Sequence, residues 1–441
     1  MNVRTGLVLM VAVLGVPDLP VFGVDWVVTQ LTDNDYGDVR PVVSGSNVGW
    51  VGGPDALEPG PRDRKIYLYD GNTVVPISHP DYATGYPQIS ASQVVWEGYD
   101  GGGDLEVFRY DFATRTREQI TQNSIHDYYA YASEQGSESY VAWLGDTGAA
   151  SDVYEYHPSG GITRITDDSK YDCGARIDGS KVVWRGGGEA NWQTNHAREA
   201  YLYDADTETT YQLTENSYFD GQSDISGASV VWEGGGASYN VREIFLYDHD
   251  VFLDFGPGAD PEDATIQLTD NDHYDGDVQI CGSHVVWVGG NRLDSDEPTG
   301  ELEIYLCDLD DPNAGITRLT DNAYDDHHPF VCDAYVVWQG DGNLDPGDPS
   351  TDTEIFVYDH SAFLALGPGA DPNDAITQLT QNDYDDGRVR VSGSTVVWSG
   401  HGNLDPYDPT TDAEIFMAII PEPVTLCILA LGGLALRCRR R

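Results

Sequence analysis

Residues 378 to 398 read Gln378-Leu379-Thr380-Gln381-Asn382-Asp383-Tyr384-Asp385-Asp386-Gly387-Arg388-Val389-Arg390-Val391-Ser392-Gly393-Ser394-Thr395-Val396-Val397-Trp398. A Gln-Leu-Thr strand, an Asp/Asn/Tyr-rich loop, a Val-Ser-Gly strand and a Val-Val-Trp strand follow one another, and a Gly/Asp-rich loop leads on to Glu414-Ile415-Phe416. The same paragraph occurs eight times, with its tryptophan at Trp50, Trp96, Trp143, Trp184, Trp232, Trp287, Trp338 and Trp398. The spacings of 46, 47, 41, 48, 55, 51 and 60 residues lie in or near the range of four-stranded propeller blades, with insertions stretching the later copies.

Every copy holds four short segments rich in β-branched and aromatic residues, separated by Gly, Asp, Asn and Pro. In the first copy they are Pro41 to Ser44, Val48 to Val51, Ile66 to Tyr69 and Val74 to Ile77. Period-two alternation sets Ile66 and Leu68 on one face and Tyr67 and Tyr69 on the other, as a sheet sandwiched between two others requires. The chain begins its repeats with an orphan Gln30-Leu31-Thr32 strand and ends them without one after Glu414-Ile415-Phe416. An open solenoid would need polar caps, and none is visible. The expectation is one all-β, eight-bladed β-propeller over residues 24–420, nearly free of helix and closed by a blade shared between the two ends. A seven-bladed ring is the alternative, because the third copy carries Tyr140-Val141-Ala142-Trp143 in place of Val-Val-Trp.

The segments Gln267-Leu268-Thr269 with Ile304-Tyr305-Leu306-Cys307-Asp308, and Arg318-Leu319-Thr320 with Ile355-Phe356-Val357-Tyr358-Asp359, resemble the propeller repeats of TolB-like proteins. The usual Ser-Pro-Asp-Gly turn of that family is missing and the blade number differs. The resemblance implies the fold and leaves the activity open, since propellers host lyases, hydrolases and binding platforms alike.

Acidic residues number 74 and Lys plus Arg 23, giving a net charge of −51 over 441 residues. Such a surface repels phosphate backbones, so no nucleic-acid partner is expected; divalent cations, basic proteins and neutral glycans remain, as does a role in solubility alone. Cys173, Cys281, Cys307 and Cys332 lie in the repeats without metal-ligand spacing. Cys281 and Cys332 share one repeat position in neighbouring copies and are read as free thiols.

The two ends read as addresses. Residues 1–23 have Arg4 before an apolar stretch from Thr5 to Val16, and small residues near Val24, as a secretory signal does. Pro421-Glu422-Pro423, an apolar run from Val424 to Leu436 and the basic end Arg437, Arg439, Arg440, Arg441 closely resemble the PEP-CTERM sorting signal, over residues 421–441. That resemblance implies exosortase-type machinery as a partner, transient membrane anchoring through the C-terminal segment, removal of the tail, and delivery to the envelope, cell surface or extracellular matrix. An ordinary C-terminal anchor is the alternative. A monomer is expected.

A four-stranded meander places two kinds of loop on one rim: those between second and third strands and those leading to the next inner strand. That rim is crowded with carboxylates. The loop bearing Asp341, Asn343, Asp345, Asp348 and Asp352 spaces oxygen ligands as a calcium loop does, although Pro346 stands where a Gly is required. Its sister carries Asn403, Asp405 and Asp408, with His401 at the first position. Calcium is the one cofactor suggested, against solvated Asx-turn loops. Residues recurring in most copies are best read as scaffold, and residues peculiar to one blade as candidates for function. By that test His126, Tyr128, Tyr129 and Trp192 are candidate ligand-binding residues, and His327 and His328, beside Asp326, candidate general bases or metal ligands. No Gly-x-Ser-x-Gly, His-Glu-x-x-His or phosphate loop occurs.

Two functions compete. The leading expectation is an exported, non-enzymatic binding module for a glycan or protein; the rival is a polysaccharide-active lyase or hydrolase using the acidic rim, with His327 or His328 at the channel mouth.

Overall fold

The structure, a computed structural model, describes residues 4–7, 26–53, 64–79, 84–148, 150–188, 198–235, 241–290, 301–311, 315–342, 352–401 and 412–420. It is an eight-bladed β-propeller of four-stranded antiparallel meanders. Blade 1 comprises Gly37–Ser44, Asn47–Gly53, Lys65–Tyr69 and Val74–Pro76, from the axis outward. The third copy is an ordinary blade with long inner strands, His126–Gln135 and Glu138–Asp146, so the seven-bladed alternative falls.

The ring closes as the orphan strand requires. Asp386–Ser392, Thr395–Gly400 and Glu414–Ile419 supply three strands of blade 8, and Val27–Gln30 supplies the fourth, with Val27 opposite Ile419 and Gln30 opposite Phe416. Leu31 then donates its N–H to the Ile415 carbonyl at 2.8 Å, and the Thr32 hydroxyl accepts the Ile415 N–H at 2.8 Å. A further strand, Arg4–Leu7, pairs outside Val27–Gln30. It belongs to the stretch read as a leader, and blade 8 has its four strands without it.

One packing unit explains why the same residues recur. Each of the eight tryptophans is at most 1% exposed. Each stacks on an aromatic residue of its own third strand, from Trp184 on Tyr201 at 5.5 Å to Trp96 on Phe108 at 6.0 Å between centroids. The Trp indole N–H needs an acceptor once buried, and in most blades an Asp heading the inner strand provides it. Trp50 donates to Asp38 at 2.9 Å, Trp143 to Asp127 at 2.9 Å, Trp287 to Asp275 at 3.2 Å and Trp338 to Asp326 at 2.9 Å. The other carboxylate oxygen takes an Asn amide from the preceding loop, as with Asn322 and Asp326 at 2.6 Å. That Asn in turn donates its backbone N–H to the recurring Glu, as Asn382 does to Glu354 at 3.0 Å. The Thr of Gln-Leu-Thr accepts the N–H of the residue after that Glu, as Thr320 does from Ile304 at 2.9 Å.

Two features depart from the expectation of almost no helix. His249–Phe255 and His360–Leu366 form short α-helices between the third and outer strands of blades 5 and 7, each followed by a 3-10 turn. Asp248 and Asp359 cap their first turns through Val251 and Ala362, and Gly256 and Gly367 end them at φ 81° and 88°. Among the described residues, no helix is long and apolar enough to cross a membrane.

Candidate active site at the propeller axis

The inner strands carry the site because of one local irregularity. In all eight blades the pairing of inner and second strands slips just after the head of the inner strand, for example between Val39 and Val42, Tyr128 and Tyr131, His327 and Phe330, and Gly387 and Arg390. The residue inside this bulge takes a left-handed backbone at Arg40, Tyr86, Tyr129, Gly174, Asp277, His328 and Arg388, with φ between 48° and 67°. Non-glycine residues there are strained by about 1–3 kcal/mol each, and such strain gathers where a side chain has to be aimed. The strain is held from the neighbouring blade, by the residue that follows its Trp. Glu97 accepts the Tyr129 N–H at 2.7 Å, Glu233 that of Asp277 at 2.8 Å, and Gln339 that of Arg388 at 2.6 Å.

The bulges deliver a ring of side chains to the axial mouth. The Arg40 guanidinium lies 3.8 Å above the Tyr86 ring, and Tyr86 meets Tyr129 edge-on at 5.6 Å. Tyr86, Tyr129, His328 and Arg388 are exposed. Two residues deeper, Arg176 covers Tyr131 at 4.0 Å and Arg390 covers Phe330 at 4.9 Å. Arg390 of blade 8 feels Tyr131 and Arg176 of blades 3 and 4, so these groups face one another across the axis.

The axis is electropositive. Enclosure and then the nearby Arg40 charge lower the proton affinity of Arg388. Arg390 is lowered likewise by enclosure, and by Arg176 and Arg388. Arg40, Arg388 and Arg390 form no ion pair with a carboxylate among the described residues. Counter-charges lie nearby: Glu97 feels Arg40, Asp224 feels Arg176, and Asp277 acts on His328. Enclosure, His327, Arg390 and Arg388 together push the His328 pKa below its ordinary value, against the pull of Asp277. Neutral at neutral pH, its imidazole can accept a proton.

The candidates from sequence divide. His328 and Tyr129 stand in the ring; Tyr128 packs edge-on against Tyr129 at 5.0 Å, with burial lifting its hydroxyl pKa to about 12. His327 meets His328 at 4.9 Å between rings and places its Nε2 4.0 Å from Asp341. Asp326 is taken up by Trp338 and Asn322, the arrangement met in its sister blades, and burial raises its pKa to about 7. His126 accepts the Leu105 N–H through Nδ1 at 3.1 Å. Of the calcium-loop residues, Asp341 accepts from the Thr353 hydroxyl at 3.2 Å, and Asp352 keeps one buried oxygen without a hydrogen-bond partner. Asn343, Asp345, Asp348, Asn403, Asp405, Asp408, Trp192 and Pro421-Glu422-Pro423 lie outside the described residues. Cys281 and Cys332 do approach each other: both are free, and the Cys332 thiol hydrogen-bonded to Cys281 brings the latter down to about 7.

The arginines were missed in the sequence. Their signal was present: aligned on the Asp heading the inner strand, the positions two and four residues on hold Arg40, Arg388, Arg390 and Arg176 in a chain otherwise short of bases.

No protein-family model matches the chain, and no curated protein matches it. Solved structures do. A puromycin-hydrolyzing peptidase of Mycobacterium tuberculosis superposes with TM-score 0.52 at 12% identity, over 82% of this chain and 57% of that one. The β-propeller domain of the trilobed protease from Pyrococcus furiosus, described as having an open velcro topology, gives 0.49 at 12%, over 79% and 99%. An oligogalacturonate lyase in complex with manganese gives 0.47 at 13%, over 91% and 95%. The chain thus spans little more than half of the first peptidase. The propeller that superposes at TM-score 0.52 belongs to a hydrolytic enzyme, which corrects the expectation of a non-enzymatic binding module. Identities this low carry the fold alone, so the chemistry has to come from this chain's own residues.

Proposed function

We propose that the chain is a polysaccharide-active enzyme, a lyase or hydrolase, that takes an acidic glycan at the axial mouth of the propeller. The observation that carries this reading is the cluster of Arg40, Arg388 and Arg390, none in an ion pair with a carboxylate among the described residues, in a chain of net charge −51. A guanidinium fork suits a uronate carboxylate, and the faces of Tyr86 and Tyr129 suit a sugar ring. Elimination is the reaction these groups serve best. Arginine neutralises the carboxylate of the uronate, His328 removes the proton on C5, the C4–O bond breaks as its electrons leave with the oxygen, and the new double bond joins C4 and C5. Glu97, Glu233 and Gln339 act as positioning residues through the bulges they hold. The acidic rim supplies His327 and Asp341 at the edge of the mouth.

The test is turnover on polygalacturonate, alginate and hyaluronate, with neutral dextran as control. Growth of ultraviolet absorbance from an unsaturated uronate identifies a lyase; new reducing ends without it identify a hydrolase. Arg388→Ala should raise KM on acidic substrates at least tenfold, and His328→Ala should lower kcat at least a hundredfold. Parent activity should rise with pH through a value below the ordinary histidine range. Absence of turnover on every acidic glycan, or equal turnover on dextran, would reject the proposal.

The tail and the loops complete the reading. Export through the leader, sorting through Pro421-Glu422-Pro423 by exosortase-type machinery, and calcium held by the Asp341 to Asp352 and His401 to Asp412 loops fit an enzyme working at the cell surface or in its matrix, as a monomer.

A further inference from the structure

On the rim opposite the axial mouth, where inner strands turn into second strands, three side chains from two blades converge. His284 opens the second strand of blade 6, Asp308 ends its third strand, and His360 opens the helix inserted in blade 7. Their ligand atoms lie within 4.8 Å of one another. The His360 Nε2 stands 3.4 Å from Asp308 Oδ2, and the two imidazoles meet edge-on at 4.9 Å. Each ring is also held from behind. Tyr358 binds the His360 Nδ1 at 3.2 Å, and the Asp333 backbone hydrogen-bonds His284. Both Nε2 atoms are buried and have no hydrogen-bond partner. A ring nitrogen fixed by an outer partner with its other nitrogen bare is how metal-ligating histidines are prepared.

The chain contains its own control. Blades 4 and 5 repeat this arrangement with Asp204 and with His249, whose Nδ1 is held by Tyr247 at 2.9 Å. The Asp204 Oδ2 to His249 Nε2 distance is 3.7 Å. There Lys181 stands where blade 6 has His284, close enough for its charge to lower the proton affinity of His249. One site thus carries a cation as a side chain; the other replaces that cation with a second imidazole.

We propose that His284, Asp308 and His360 bind one zinc ion, which joins blade 6 to the helix of blade 7. Two imidazoles and one carboxylate suit zinc and disfavour calcium or magnesium, which take oxygen ligands. Neutral imidazoles and one carboxylate leave the occupied site at +1, and the ion takes the place beside Asp308 that the Lys181 charge takes beside Asp204. A cavity of about 670 Å³, lined in part by Leu246, Ile266, Leu268 and Leu309, has Asp308 in its wall.

The experiment uses the full chain, stripped by chelator and kept in millimolar magnesium so that carboxylate sites are occupied. Zinc is titrated by calorimetry and counted by native mass spectrometry, with melting followed in parallel. The parent should bind one more zinc than His284→Lys, which copies the Lys181 site and should fold, and zinc should raise the melting temperature of the parent and not of His284→Lys. Lys181→His should gain one zinc over the parent. Equal binding by parent and His284→Lys overturns the proposal. So does loss of the ion in Cys281→Ser with retention in His284→Lys, which would assign it to the neighbouring thiols, and so does no gain in Lys181→His.

Discussion

Replacing Asp326 by Asn should flatten the dependence of stability on pH. Asp326 is 2% exposed, and burial raises its pKa from 3.8 to about 7 despite the hydrogen bonds from Asn322 and Trp338. A carboxyl whose folded pKa is raised contributes stability that is fully present below the unfolded value and is lost as pH rises through the folded one. The folded chain holds the extra proton between those two values, and over that window stability falls by about 1.4 kcal/mol per pH unit for this one group. From pH 5 to pH 7, where the slope halves as the folded pKa is reached, the parent should therefore lose about 2 kcal/mol relative to Asp326→Asn, which keeps an oxygen for the Trp338 indole and never ionises. Urea unfolding of both chains at pH 5, 6 and 7 measures this. The Asn variant starts lower, because its amide nitrogen cannot accept from Asn322 as the carboxyl does, but the pH slope is independent of that offset. A parent-to-variant difference that stays constant over the window, or a parent that gains stability with pH, refutes the reasoning. The carboxylate would then be ionised and held as a charge by Trp338 and Asn322. Asp38, raised to about 6, and Asp172, Asp220 and Asp386, raised to about 7, should behave alike.

Thr32→Val should cost about 1–3 kcal/mol in urea unfolding by leaving the buried Ile415 N–H without an acceptor, matching Thr320→Val within a blade; a neutral Thr32→Val beside a costly Thr320→Val would mean that the N-terminal strand does not close the ring. Millimolar calcium should raise the melting temperature more than sodium at equal ionic strength, and Asp345→Ala or Asp405→Ala should blunt the rise; equal shifts would leave the loops as solvated connections. Deleting residues 421–441 should leave the melting temperature unchanged and alter where the protein accumulates in its own host; unchanged delivery would remove the sorting reading.

The fold was legible because its recurring residues are the ones that cannot vary. A Trp stacked on a third-strand aromatic needs an acceptor for its indole, so Trp, Asp, Asn, Glu and Thr return together in copy after copy. The same logic made the Asp/Asn loops look like one acidic rim, when part of their charge is turned inward. Asp38, Asp127, Asp275 and Asp326 serve the indoles, and Asp326 looked like a partner for His327 and His328 only because the sequence places it next to them. The helices were marked by Asp248 with Gly256 and by Asp359 with Gly367, caps that strand periodicity passes over. The axial ring was hidden for a different reason. Arg40, Tyr86, Tyr129, Asp277, His328 and Arg388 occupy one position in the repeat yet change chemistry from blade to blade, so a reading that seeks recurrence discards them. They become visible once the bulge that aims them all at the axis is known.

The charge distribution leads to a last prediction. An acidic glycan approaching the propeller meets a surface of net charge −51 before it reaches the arginines. Repulsion acts at long range and attraction only at contact, so salt should affect the two differently. The screening length falls from about 30 Å at 0.01 M to about 8 Å at 0.15 M. Over that interval the repulsion from the outer surface fades, while contact with Arg388 and the deeper Arg390, at distances well inside the screening length, is screened much less. The ratio kcat/KM on an acidic glycan should therefore rise from 0.01 to about 0.15 M sodium chloride, and fall only at higher salt, once the arginine contacts themselves are screened. Arg388→Ala should keep the initial rise, which comes from the surface, and lose most of the later fall. A rate that falls steadily from the lowest salt in the parent would mean that the substrate meets positive charge first. The binding face would then lie away from the acidic rim, and the axial arginines would answer to some other ligand.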